Sequence, residues 1–135
     1  MYPEPGANHF SLDPNEVAPG AGIFVVARLE GHPVGCGALR SLRERELVRE
    51  LGPRVGELKR MYVAREVRGH GVGRALLARL EAEARALGLT QLVLETGIRQ
   101  TDALALYRRA GFASIPPYGE YAASADTSVC LSKSL

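Results

Sequence analysis

"RGHGVGRALLARLEAEARALG", Arg68 to Gly88, decides the fold. Its first six residues hold Gly69, Gly71 and Gly73, and Val72, Leu76, Leu80, Ala84 and Leu87 then recur at helical spacing. Arg74, Arg79, Glu81, Glu83 and Arg85 fall mostly elsewhere on the wheel, so the apolar stripe is expected to pack on a sheet, with Gly88 placed to end the helix. A helix N-terminus leaves several N–H groups without internal partners and carries partial positive charge, which favours anions and phosphates above all. Glycines just upstream let the backbone approach a bulky ligand closely. The segment is therefore predicted to cradle a phosphate, against the plainer alternative of a glycine-rich chain reversal. Two familiar phosphate loops do not fit. Arg74 follows Gly73 where a Walker loop needs Lys and then Ser or Thr. The glycines are evenly spaced where a dinucleotide fingerprint needs G-x-G-x-x-G, and no acidic ribose ligand is evident in the next strand.

Outward from this segment, "VGELKRMYVA" (Val55 to Ala64) alternates as a strand leading into the glycines, and "TQLVLET" is a short apolar strand behind the helix. "GIFVVARL" and "PVGCGALR" flank "EGH" as an antiparallel hairpin. "SLRERELVRELGP" reads as a short solvated helix or ordered loop. A second helix, about Thr101 to Ala110, stops at Gly111, and is followed by the strand "FASI", the loop "PPYGEY" and the last strand "TSVCLSKS". The order from Gly22 is β-β-β-α-β-α-β-β, a mixed α/β sheet flanked by helices.

With 135 residues, 46% hydrophobic and 24% charged, the chain fits one globular domain spanning residues 1–135. A net charge of +2 balanced among many charges gives no warrant for nucleic acid binding. No apolar run approaches the roughly 20 residues of a membrane helix, and "MYPEPGANHF" lacks the regions of a signal peptide, so a cytoplasmic protein without membrane partners is expected. Cys36 and Cys130 lack metal-ligand spacing and read as free thiols in apolar strands; no metal is expected. His9 and His32 read as ordinary surface histidines.

"RGHGVG" resembles the Arg/Gln-x-x-Gly-x-Gly/Ala signature of the GNAT superfamily of acyl-CoA-dependent N-acyltransferases, with Arg68, Gly71 and Gly73 at its fixed positions. "ELKRMYV" before it and "ALALYRRAGF" after it also resemble that family, in order and at the expected separation. The resemblance implies a GNAT-type, mainly antiparallel mixed sheet and acetyl-CoA as co-substrate, with coenzyme A pyrophosphate on the N–H groups of Gly69, His70, Gly71, Val72, Gly73 and Arg74. It implies that Met61, Tyr62 and Val63, on a strand splayed from its neighbour, hold the pantetheine arm. Tyr107 in "LYRRAGF" stands where the family has the tyrosine near the coenzyme sulfur, and is either the acid for the leaving thiolate or a core aromatic. Glu57 stands where some members carry a glutamate that accepts the amine proton, and otherwise reads as a solvated glutamate or a partner of Lys59. Gln100 replaces the family's asparagine in "QTDALALY", keeping a carboxamide for the coenzyme. His70 is expected at the loop surface.

The resemblance covers residues 22–135 as the core and leaves 1–21 as an abbreviated N-terminal remnant, with the first strand absent and "SLDPNEVAPG" keeping part of a helix capped by Ser11 or Asp13, Pro14 in its first turn. The implied activity is acetyl transfer to a primary amine of a small molecule. A protein amine, or an acyl-CoA-binding module without turnover, are the alternatives, and a homodimer is the oligomer the family suggests. For the acceptor, Glu120 with Tyr118 and Tyr121 would suit a cationic amine, whereas Arg40, Lys59 and Arg60 would suit a carboxylate.

Overall fold

The computed structural model describes the backbone of residues 10–18 and the whole of residues 22–135. Seven strands form one sheet: β1 (Phe10–Ala18), β2 (Gly22–Leu29), β3 (His32–Ser41), β4 (Val55–Val63), β5 (Gln91–Gly97), β6 (Ala113–Ile115) and β7 (Ser128–Ser134). Their spatial order is β1-β2-β3-β4-β5-β7-β6, antiparallel throughout except for the parallel β4–β5 pair. The helices are α1 (Arg45–Leu51), α2 (Val72–Ala86) and α3 (Thr101–Arg109). β2 and β3 meet in a two-residue turn at Glu30 and Gly31, both with positive φ (48° and 82°), the geometry that matches strand twist.

One expectation fails: the first strand is present. Residues 10–18 pair with β2 from Phe10↔Leu29 to Ala18↔Gly22, where a capped helix was expected. Pro14, placed by sequence in a first helical turn, lies instead in an edge strand, which tolerates a residue without an N–H. Ser11 and Asp13 belong to that strand, and His9 lies outside the described residues.

α2 and α3 cover one face of the sheet, over a core that includes Val25, Leu39, Leu58, Leu76, Leu80, Leu92 and Leu131. On the other face, α1 and the loop after β6 enclose a smaller cluster of Leu42, Val55, Val93, Tyr118 and Cys130. α2 buries Val72, Leu76, Leu80 and Ala84 as its spacing predicts, and also Leu77 and Glu81, whereas Leu87 is 43% exposed. The reason lies at the helix end. Gly88 (φ 79°) reverses the chain, with Leu89 N–H bonding to Ala84 O and Gly88 N–H to Arg85 O, so that Leu89 fills the core in place of Leu87. Gly37 has its own reason to be glycine: a Cβ there would lie 2.8 Å from Leu80 Cδ1 and 2.5 Å from the Met61 sulfur, so its absence lets α2 sit close on β3.

Candidate active site

β4 and β5 are hydrogen-bonded only from Val55↔Gln91 to Leu58↔Leu94. Beyond that point each keeps its outer neighbour: Tyr62 and Val63 pair with Cys36 and Gly35 of β3, and Glu95, Thr96 and Gly97 pair with β7. The inner edges diverge, leaving two rows of backbone groups that face a gap in the middle of the sheet. An extended ligand can enter such a gap as an added strand. The divergence coincides with a bulge in β4, marked by a register shift against β3 and by Arg60 in the left-handed region (φ 57°).

The gap opens into a cleft of about 1300 Å³ between α2, α3 and the end of β4. Met61, Tyr62, Val63, Arg68, Gly69, Gly71, Val72, Gly73, Arg74, Gln100 and Tyr107 all line it; His70 and Glu57 do not. The first bond into the body of α2 runs from Ala75 N–H to Gly71 O, so the N–H groups of Val72, Gly73 and Arg74 have no acceptor within the helix, and no side chain caps it. Gly69 and Gly71 both have φ of 85°, and a Cβ at either would meet nothing within 4 Å. Here glycine answers a backbone requirement in front of open space, the condition a phosphate cradle sets. Gly73 differs: its Cβ would meet Leu106 Cδ2 at 2.9 Å, so it serves the contact between α2 and α3. Arg68 donates from Nε to the Val63 carbonyl at 3.0 Å, tying the glycine loop to the end of β4.

Tyr107 is buried on α3, edge-on to Phe112 at 5.9 Å, and burial pushes its phenol up to about 12. Its hydroxyl has no hydrogen-bond partner among the described residues, yet no fully buried side-chain polar atom lacks one, so the hydroxyl reaches the cleft surface. A neutral phenol at the cleft wall can donate a proton. Gln100 precedes α3 without capping it through its side chain, which leaves the carboxamide at the cleft.

Glu57 lies on the other face of the sheet and is 2% exposed, so the solvated alternative does not hold. The buried Tyr118 hydroxyl donates to its Oε2 at 2.6 Å, Arg40 Nε donates to its Oε1 at 3.0 Å, and Lys59 Nζ stands 3.8 Å from Oε1. Burial, and then the Glu57 carboxylate, push the Tyr118 phenol far above its ordinary range. Arg40 also forks onto both oxygens of Glu44 (3.2 and 3.0 Å), which holds the Glu44 carboxyl below its usual range. Tyr118 and Arg40, read from sequence only as acceptor candidates, are thus the partners of Glu57. Sequence reasoning also missed Glu81 and Lys133, which form a pair (2.9 and 3.0 Å) in the cleft wall; they are 52 residues apart, and nothing local signals the contact.

Cys36 and Cys130 are both free, and burial raises both thiols. Among the described residues no group of three metal-ligating side chains converges, and no helix is long and apolar enough to cross a membrane.

A mixed sheet opened at a parallel pair, with a glycine-led helix aimed into the opening, defines an acyl-CoA-dependent acyltransferase architecture. The chain belongs to the acetyltransferase (GNAT) family, which residues 2–112 match. It is 45% identical over 121 residues to an IAA acetyltransferase of Azospirillum brasilense, covering 90% of this chain and 72% of that protein. An aminoglycoside N(6')-acetyltransferase type 1 of Stenotrophomonas maltophilia is 35% identical over 90 residues, 67% of this chain and 58% of that one. The solved structure of an acyl-CoA N-acyltransferase from Klebsiella pneumoniae superposes with a TM-score of 0.79 at 30% identity, over 93% of this chain and 97% of that one.

Proposed function

We propose that this chain transfers an acetyl group from acetyl-CoA to a primary amine of a small molecule. The observation that carries the reading is the gap between β4 and β5 with the uncapped N-terminus of α2 at its mouth. In this reading the N–H groups of Gly69, Gly71, Val72, Gly73 and Arg74 hold the pyrophosphate; His70, expected from sequence to share in this, is outside the cleft and spends its N–H on the Val67 carbonyl at 3.3 Å. The backbone of Met61, Tyr62 and Val63 holds the pantetheine arm, and Gln100 contacts the coenzyme. Arg68 keeps the loop in place through Val63. The acceptor amine attacks the thioester carbon, a backbone N–H near Val63 polarises the carbonyl, and Tyr107 donates a proton to the departing sulfur. Glu57 takes part from the opposite face, receiving the amine proton through water. The small-molecule acceptor is supported by the likeness to the Stenotrophomonas aminoglycoside N(6')-acetyltransferase, and the acyl-CoA donor by the likeness to the Klebsiella structure.

Calorimetric titration with acetyl-CoA, with thermal unfolding in parallel, tests the donor half. Saturable binding that adds about 2.7 kcal/mol of stability at a hundredfold excess over Kd is expected. Amine-dependent release of coenzyme A across a broad amine panel tests the acceptor half. Binding without amine-dependent release would reduce the protein to an acyl-CoA-binding module, and no binding by the folded protein would remove the donor assignment.

A further inference from the structure

On the face of the sheet away from α2, a hollow of about 490 Å³ lies between β2, β3 and β4, lined by Gly22, Phe24, Ala38, Leu39, Arg40, Lys59 and Arg60. Three cationic side chains line it, and two of them, Arg40 and Lys59, already engage carboxylates. Arg40 is shared between Glu57 and Glu44, and Lys59 is near Glu57. Arg60 is exposed, forms no ion pair among the described residues, and is held in the left-handed region at the β4 bulge, where glycine would be the less strained choice. The bulge sits directly before Met61 to Val63, so consecutive residues of β4 line first the hollow and then the cleft. Further carboxylates stand on β5 and on the loop after β6. Glu95 stands on β5 opposite Cys130, and the Tyr118–Tyr121 pair, in edge contact at 5.3 Å, lies against Glu57 with Glu120 on the same loop. Burial and the Glu57, Glu95 and Glu120 carboxylates push the Tyr121 phenol up to about 12. Cations of β3 and β4 thus line the hollow beside Glu57 and Glu44, with the further carboxylates on β5 and on that loop.

We infer that the acceptor is an amine that itself carries a carboxylate, an amino acid in the broad sense, seated with its carboxylate on Lys59 and Arg60, its apolar part on Phe24, and its amine at the β4–β5 gap. This rests on the acetyltransferase reading and names its substrate class. Complementary charge at the two ends orients the molecule, and a site built for a carboxylate discriminates strongly against analogues without one. In the reaction the amine nitrogen forms a bond to the thioester carbonyl carbon and the carbon–sulfur bond breaks. Of the two protons the ammonium group gives up, one leaves on the coenzyme A thiol and one goes to solvent through Glu57. The product keeps its carboxylate as an N-acetyl amino acid.

The experiment compares amino acids of increasing size, each with its own carboxamide, by thiol release with acetyl-CoA. The same amino acids are also titrated calorimetrically into the coenzyme A-loaded protein. The carboxylate member of each productive pair is expected to have a KM at least about tenfold lower, the discrimination typical of a lost charged contact. Arg60→Gly, which the positive φ accommodates, should collapse that ratio toward one, and Lys59→Gln should reduce it. Equal KM values for acid and amide in the wild-type enzyme, or a ratio that both variants leave intact, would overturn the inference. If acetyl-CoA binds but no amine releases thiol, the enzyme reading fails. The hollow is then judged by calorimetry, where amino acid binding that Arg60→Gly weakens about tenfold supports it and absence of binding refutes it.

Discussion

Replacing Tyr118 with phenylalanine removes one oxygen atom and tests whether Glu57 is held as a charged group inside the protein. Tyr118 is 1% exposed and Glu57 2%, and the 2.6 Å bond between them is the hydrogen bond to Oε2 in the structure, Arg40 being committed to Oε1. A hydrogen bond to a charged group is worth about 1.5–3 kcal/mol, and leaving the acceptor buried without a donor incurs that loss. For a chain of this size the loss corresponds to a fall in Tm of about 5–15 °C. Denaturant unfolding of wild type, Tyr118→Phe, Glu57→Gln and the double variant gives the cycle. Once Glu57 is a neutral amide, the same Tyr118 change should cost at least about 1 kcal/mol less, because the charge-assisted part of the bond is already gone. A Tyr118→Phe protein within about 0.5 kcal/mol of wild type, or a cycle in which the two changes simply add, would refute the claim that this pair is a tight buried unit.

Tyr107→Phe is expected to lower turnover by more than about tenfold with little change in coenzyme binding; equal turnover would remove Tyr107 from the acid role. Gly71→Glu should abolish acetyl-CoA binding by calorimetry, and unchanged affinity in the folded variant would defeat the cradle. Gly71→Ala should already cost about 1–2 kcal/mol in denaturant unfolding, since φ is 85° there. Stability should fall as pH rises from about 10 through 12. The folded Tyr107 value of about 12 lies above the ordinary value near 10, so its contribution is whole below pH 10 and about 2–3 kcal/mol is lost on passing the folded value; Tyr107→Phe should show a correspondingly shallower alkaline decline. Arg60→Gly relieves a left-handed arginine and should leave the protein as stable as wild type or up to about 1 kcal/mol more so in the same unfolding assay; a marked loss would mean that the arginine side chain holds the bulge.

Most of the fold was legible because its elements carry strong local signals. β2 ends at Leu29, where sequence places it, because alternation from Ile23 to Leu29 gives way to a Glu-Gly turn that only positive φ satisfies. α2 is set by its apolar stripe and by Gly71 and Gly88 at its two ends. β1 was not legible. "SLDPNEVA" has residues that suit a helix start and a proline that argues against a central strand, and only its pairing along β2 makes it a strand. That is tertiary context overriding local preference. Leu87 shows the same limit on a smaller scale, since the helical wheel cannot tell that the chain turns one residue later and sends Leu89 inward instead.

The site was legible where main chain does the work and obscure where side chains meet across distance. Glycines before a helix announce a backbone geometry, and that geometry is local. The environment of Glu57 is not: its partners Arg40 and Tyr118 come from β3 and from the loop after β6, and the Tyr118 contact spans 61 residues. β4 explains why both kinds of feature occur in one short stretch. A regular strand alternates its side chains between faces, which would place Lys59 and Met61 on the same side. The extra residue at the Arg60 bulge breaks that alternation, so Met61 reaches the α2 face beside Gly37 while Glu57 and Lys59 stay on the other. One inserted residue thus lets a single strand wall the cleft beside α2 on one side and a charged hollow on the other.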